Sequence, residues 1–266
     1  MNTNTSPVVH LEFRDHVAYL TFARPNAANT INRQFGRDFL QAAVTLEAAS
    51  NVRAVVLAGE GKNFCFGGDL KEMVASGDDV EAYLIDLTTN LHAGMFRLAR
   101  LRAPVIAAVQ GTAAGAGLGL VLVADLAIAA RSAKFVSAYT GVGLSPDAGT
   151  SFLLPRAVGY KRAMELFLNN RVLDAQQALE WGMVNQVVED DQLTPTVAAL
   201  AARLAAGPVD AYGAVKRLLA DSEPGFEAQL GRESRSIAAR GASVEGREAM
   251  AAFLEKRAPR FIDGHA

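Results

Sequence analysis

The sequence predicts an α/β fold of stacked strand-and-helix repeats, closed by a layer of C-terminal helices. The order strand, glycine loop, helix occurs twice, through "RAVVLAG" and "EGKNFCFGGDL" at 53–70 and again through "PVIAAVQG" and "TAAGAGLG" at 104–119. After "VNQVV" at 184–188 strand signals stop, and helices of alanine, leucine and arginine continue to the end, broken at "AAGPVD", "SEPGF" and "RGASVEG". A length of 266 residues suits one large core or two domains. The change of pattern sets a soft boundary near 190–208, giving a core domain over 1–195 and a C-terminal helical domain over 196–266.

Taken in order, the elements justify that outline. "VVHLEF" and "VAYLTF" alternate in polarity and predict a hairpin joined across Arg14 to His16. A helix follows from about Ile31 to Ala49, with Asn29 or Thr30 able to cap it. The segment 86–104, "DLTTNLHAGMFRLARLRAP", is helical in pattern, with Leu91, Met95, Leu98 and Leu101 on one stripe. The apolar run 103–130 has nearly the length of a membrane span. Gln110, Asp125 and four glycines fit a buried strand, a glycine turn, a buried helix at 116–124 and a second strand better.

Composition narrows the function classes. With 50% hydrophobic and 20% charged residues the chain should fold as a globular protein. A net charge of −2 supplies no general attraction for nucleic acid or anionic lipid. Cys65 is the only cysteine, so an internal disulfide and a thiolate metal cluster are excluded. His10, His16, His92 and His265 are scattered, and no sequence-local metal motif is present. The start "MNTNTSPVV" lacks the basic-then-apolar order of a signal peptide, so a cytoplasmic protein is expected.

Chemistry is expected at the two glycine loops and at Asp147. Loops that end strands can present backbone N–H groups, and a following helix adds the positive end of its dipole. The exposed donors expected are Gly68 in "CFGGDL" and Ala116 in "AAGAGLG". Converging on one oxygen, they would form an oxyanion hole; the plainer alternative is that these glycines only make turns and allow close packing. "GAGLG" fails the G-x-G-x-x-G order of a dinucleotide site, and "GLSPD" fails the order of a serine nucleophile elbow. Asp147, after Pro146 and before the helical pattern "AGTSFLLPRAVG", is either a helix cap or a general base or nucleophile. His92 is either a boundary residue of its helix or a partner in catalysis.

Together "NFCFGGDLKEM", "RAPVIAAVQGTAAGAGLGLVLVADLAIAARSAKF", "GLSPDAGTSFLLPRAVGYKRAMEL", "ALEWGMVNQVV" and "AFLEKRAPRF" resemble the enoyl-CoA hydratase/isomerase superfamily, the crotonase (ClpP-like) fold, from about residue 8 to 261. The resemblance implies a superhelix of ββα units, a C-terminal helical layer used in trimers, and a homotrimer or a homohexamer of two trimers. It implies an acyl-CoA thioester as substrate, with coenzyme A entering as part of it and no other cofactor, and with Gly68 and Ala116 holding the thioester oxygen as an enolate forms. "RPNAAN" matches the segment whose backbone, Asn26, Ala27 and Ala28 here, runs along CoA. Phe66 and Lys71 flank that groove, and Phe253 and Lys256 match positions that reach a neighbouring subunit's CoA.

Two departures sharpen the expectation. The two glutamates of a typical hydratase fall on Gly119 and Tyr139, which argues against ordinary hydration. Asp147 stands where isomerase members carry their acid, including those acting on 1,2-epoxyphenylacetyl-CoA, so a proton shuttle from C2 to C4 is expected. The 4-chlorobenzoyl-CoA dehalogenases match both Asp147, as nucleophile, and His92, as the residue that activates water. Gly68 and Tyr139 replace the Phe and Trp of that group. A CoA-binding protein without turnover is the third alternative. The pocket walls are expected to include residues 73–96.

Overall fold

The computed structural model describes residues 6–222 and 225–262. His265 and the first five residues lie outside them, as do residues 223–224 of the "SEPGF" break. The hairpin forms as expected from β1 (Val9–Arg14) and β2 (Val17–Phe22), in register from Val9 opposite Phe22 to Arg14 opposite Val17. Asp15 and His16 turn it with positive φ of 44° and 68°.

The next helix, α1 (Arg33–Ala48), starts later than the sequence suggested. Its cap is Asn32, whose side chain accepts from Phe35 N at 2.9 Å. Asn29 and Thr30 are not caps. Asn29 is fully buried at a φ of 55°, where its amide accepts from Arg24 N and donates to the carbonyls of Glu60 and Asn63. Two loops are thereby fastened by one side chain, and Thr30 bonds to Asp69 instead.

The chain continues through β3 (Ala54–Gly59), α2 (Leu70–Ala75), α3 (Val80–Arg100), β4 (Val105–Val109), β5 (Thr112–Ala114), α4 (Ala116–Val123), β6 (Leu126–Ala130) and β7 (Lys134–Val136). There follow α5 (Thr150–Val158), α6 (Tyr160–Asn169), β8 (Leu173–Asp174), α7 (Ala175–Glu180) and β9 (Gln186–Val188). The end is helical: α8 (Leu193–Ala205), α9 (Val209–Ala220), α10 (Phe226–Ala242) and α11 (Val244–Leu254). One sheet has the order β1-β2-β3-β4-β6-β9, parallel after the hairpin, and a smaller one has the order β5-β7-β8.

Both faces of the larger sheet's centre are covered, which is why β3, β4 and β6 read as unbroken apolar runs. Ala18, Leu20, Val55, Leu57, Val105 and Ala107 point towards α1 and α3, where Phe22, Phe35, Phe39 and Phe64 pack ring against ring. The alternate residues Val17, Val56, Ile106, Ala108 and Ile128 meet Leu193, Val197 and Ala201 of α8. So α8 closes the sheet's second face. The helix α4 is buried throughout its first six residues, and among the described residues no helix is long and apolar enough to cross a membrane.

Candidate active site

Gly68 owes its free donor to the pairing of its neighbours. On one side Cys65 pairs with Ala113 of β5, and on the other Ile31 N donates to Gly67 O at 2.7 Å while Asp69 N donates to Ile31 O at 2.9 Å. In that parallel pattern the N–H of Gly68 faces away from Ile31, and it has no acceptor among the described residues. Ala116 opens α4, so its N–H has no carbonyl a turn earlier to bond to. The two loops touch through Gly67, whose absent Cβ would sit 2.7 Å from Ala114 O and 3.2 Å from Ala116 N. Two unpaired donors on adjoining segments are what an oxyanion hole requires.

Both donors line one cleft of about 340 Å³. Its walls come from Phe66, Leu70 and Met73, from Leu84, Leu87 and Leu91 on one face of α3, and from the loop bearing Val142, Leu144 and Asp147. Asp147 is the cleft's one carboxylate among the described residues. It does not cap α5: the cap position is Gly149 and carries no side-chain bond. Instead its Oδ1 lies 2.7 Å from His92 Nε2, joining the loop to α3 across 55 residues. His92 is therefore a polar partner rather than an idle edge residue.

The pair sets its own charge state. Burial pushes the Asp147 carboxyl up, but hydrogen bonds from His92 and Ala148 N–H, with the imidazolium charge, outweigh it and hold the group below its ordinary value. The hydrogen bond to Asp147 raises the His92 imidazole against the opposing pull of burial. Between those limits the pair is carboxylate and imidazolium.

The loop is built to aim this carboxylate. The Asp147 carbonyl accepts three hydrogen bonds, from Thr150 N at 3.0 Å, Thr150 Oγ1 at 2.7 Å and Tyr139 Oη at 3.0 Å. Burial, then the Asp147 charge, push the Tyr139 phenol up, so it stays protonated and donates. Tyr139 thus lines the cleft with its ring while its hydroxyl holds protein. Ala148, at a φ of 49°, packs fully buried against Gly119. A Cβ on Gly119 would come within 2.7 Å of the Ala148 Cβ, so a glutamate on α4 and this loop cannot share the space.

The remaining expected residues are placed as follows. Asn26 and Ala27 lie in a short 3₁₀ turn, and Ala28 O accepts from Phe66 N at 3.1 Å, which sets this segment on the flank of the cleft. Lys71 is exposed in the first turn of α2. Phe253 and Lys256 are exposed at the end of α11 and do not line the cleft of their own chain. Met73, Thr150 and the Gly119–Ala148 contact carry roles that motif reading did not assign. The only sequence signal for the last was a glycine in a helix of large apolar residues. No cluster that could hold a metal occurs among the described residues.

Comparison with known proteins agrees with this geometry. The profile of the enoyl-CoA hydratase/isomerase family matches residues 12–264. The 1,2-epoxyphenylacetyl-CoA isomerase of Escherichia coli is 39% identical over 92% of this chain and 94% of its own. A 4-chlorobenzoyl coenzyme A dehalogenase of Arthrobacter is 36% identical over 96% of this chain and 94% of its own. Among solved structures, an enoyl-CoA hydratase of Mycobacterium smegmatis superposes with a TM-score of 0.89 at 34% identity, covering 96% of this chain and 99% of the other. Fold and sequence therefore converge: the chain belongs to the enoyl-CoA hydratase/isomerase family and has the crotonase fold.

Proposed function

We propose that the protein shifts the double bond of an enoyl thioester, with Asp147 carrying one proton from C2 to C4. The observation that carries this reading is a single carboxylate sharing the cleft with two unpaired backbone donors, while the place of a helix-borne glutamate is filled by Ala148. Asp147 takes the C2 proton, the thioester oxygen gathers the negative charge against Gly68 N–H and Ala116 N–H, and the same proton is returned at C4. Nothing is oxidised and no water is consumed, so the only cofactor called for is the coenzyme A of the substrate. His92 holds the carboxylate ionised and pointed into the cleft.

The test mixes purified protein with a trans-3-enoyl-CoA and follows the ultraviolet absorbance of the conjugated product. Wild type should build that signal and Asp147→Asn should not, while a saturated acyl-CoA still binds both. Loss of binding in the variant, or an equal rate, overturns the reading.

The contact of His92 with Asp147 also favours a second reading, in which Asp147 attacks an aryl-CoA ring, expels halide, and His92 takes a proton from the water that cleaves the ester. Halide release from a 4-halobenzoyl-CoA would establish this second reading instead. The exposed Phe226, Leu230 and Ile237 of α10, with Phe253 and Leu254 of α11, support assembly through residues 196–266 into a trimer or hexamer. In such an assembly Phe253 and Lys256 would reach a neighbour's CoA, beside its Asn26–Ala28, Phe66 and Lys71.

A further inference from the structure

Gly68 leaves a space that Met73 fills. A Cβ at residue 68 would collide with the Met73 methyl. Met73 reaches this place from α2, whose start is pinned: Asp69 caps it and is itself held by Arg24 at 3.0 Å and Thr30 at 3.1 Å. The other lining side chains of the acyl cleft are aliphatic along α3, at Leu84, Leu87 and Leu91. Thr88 turns its hydroxyl to Leu84 O at 2.8 Å and so has no donor left for a ligand.

The two rings of the lining, Phe66 and Tyr139, come from other segments than that wall. Tyr139 packs beside Gly115, next to the Ala116 donor, and Phe66 is 44% exposed. An aromatic acyl group would therefore find no ring on the leucine face to pack against. A ring joined directly to the thioester carbon would also lie beside Gly68, where the Met73 methyl already is.

Resting on the reading that this cleft takes the acyl thioester, we propose that it selects an unbranched aliphatic acyl group and that Met73 is the selecting residue. The cleft, about 340 Å³, has room for an acyl chain of medium length. With its methyl beside Gly68, the thioether holds the space that a ring on the thioester carbon would need, while its flexible arm can lie along a linear chain.

Calorimetric titration with octanoyl-CoA and benzoyl-CoA tests this without any reaction, since neither has an enoyl bond to shift. Wild type should bind octanoyl-CoA about tenfold more tightly or better, and Met73→Ala should remove most of that ratio by admitting benzoyl-CoA. Met73→Val shortens the arm with a smaller loss of volume and gives the same readout should the alanine variant fail to fold. Equal affinities in wild type, or an unchanged ratio in a folded Met73 variant, overturn the proposal. If octanoyl-CoA shows the preference but trans-3-octenoyl-CoA is not isomerised, the proton shuttle falls and the acyl selectivity stands. If neither thioester binds, both fall.

Discussion

Asp147 and Asp125 each meet a cation at 2.7 Å, the first His92 and the second Lys216. Their surroundings differ. Lys216 is only 10% exposed and also donates to Ala103 O, while Asp125 accepts from Val105 N, so every strong group of that pair is spent inside the fold. His92 is 49% exposed, and Asp147 faces a cleft with two donors opposite. Burial raises the Asp125 carboxyl despite its lysine, whereas hydrogen bonding wins at Asp147 and lowers it. What sets Asp147 apart is access and what lies across from it, since the cation alone is common to both.

Matched substitutions separate the two roles, and they should give the largest effects. Asp147→Asn removes the base and should lower isomerase turnover by about 10³-fold or more, with thermal stability little changed. Asp125→Asn leaves Lys216 uncompensated and should cost about 3 kcal/mol, a fall of roughly 8 °C in Tm. Its turnover per folded molecule should stay within about twofold of wild type. Thermal denaturation and a rate assay on the same samples check both. A stable but inactive Asp125→Asn would break the comparison.

Tyr139→Phe is the next test, because it asks whether the loop's aim matters as much as its carboxylate. The ring stays and one of three donors to the Asp147 carbonyl is lost. About 1 kcal/mol of loop positioning is at stake, so kcat should fall about fivefold to tenfold with KM nearly unchanged. A rise in KM with kcat intact would make Tyr139 a substrate contact instead.

The same contrast explains how much was legible beforehand. The hairpin, the unbroken strands and buried α4 follow from local periodicity, and the pattern change after Val188 correctly marks where helices take over. The donors Gly68 and Ala116 came from loop position together with family resemblance. The His92–Asp147 bond spans 55 residues and depends on how α3 packs against a loop, which no local pattern encodes. Asn29 failed as a cap for the same reason, since its three partners lie at Arg24, Glu60 and Asn63 and only the fold brings them together.

The smallest expected effect concerns pH, and it sharpens the role of His92. The depressed Asp147 carboxyl contributes stability that is present above its unfolded value and is lost as pH falls through the folded one. The raised His92 contributes stability that is complete below its unfolded value and is lost as pH rises through the folded one. The charged pair therefore contributes most between the ordinary carboxylate and the ordinary imidazole ranges. Asp147 should keep its basic form well into acid, placing the acid limb of kcat/KM below the ordinary carboxylate range. His92→Gln keeps a donor for Asp147 but removes the positive charge, so burial regains weight and that limb should move to higher pH. A limb that stays in place would mean that the imidazolium charge does not tune the base, leaving His92 as a hydrogen-bonding prop. The pair would then differ from Asp125–Lys216 in access alone.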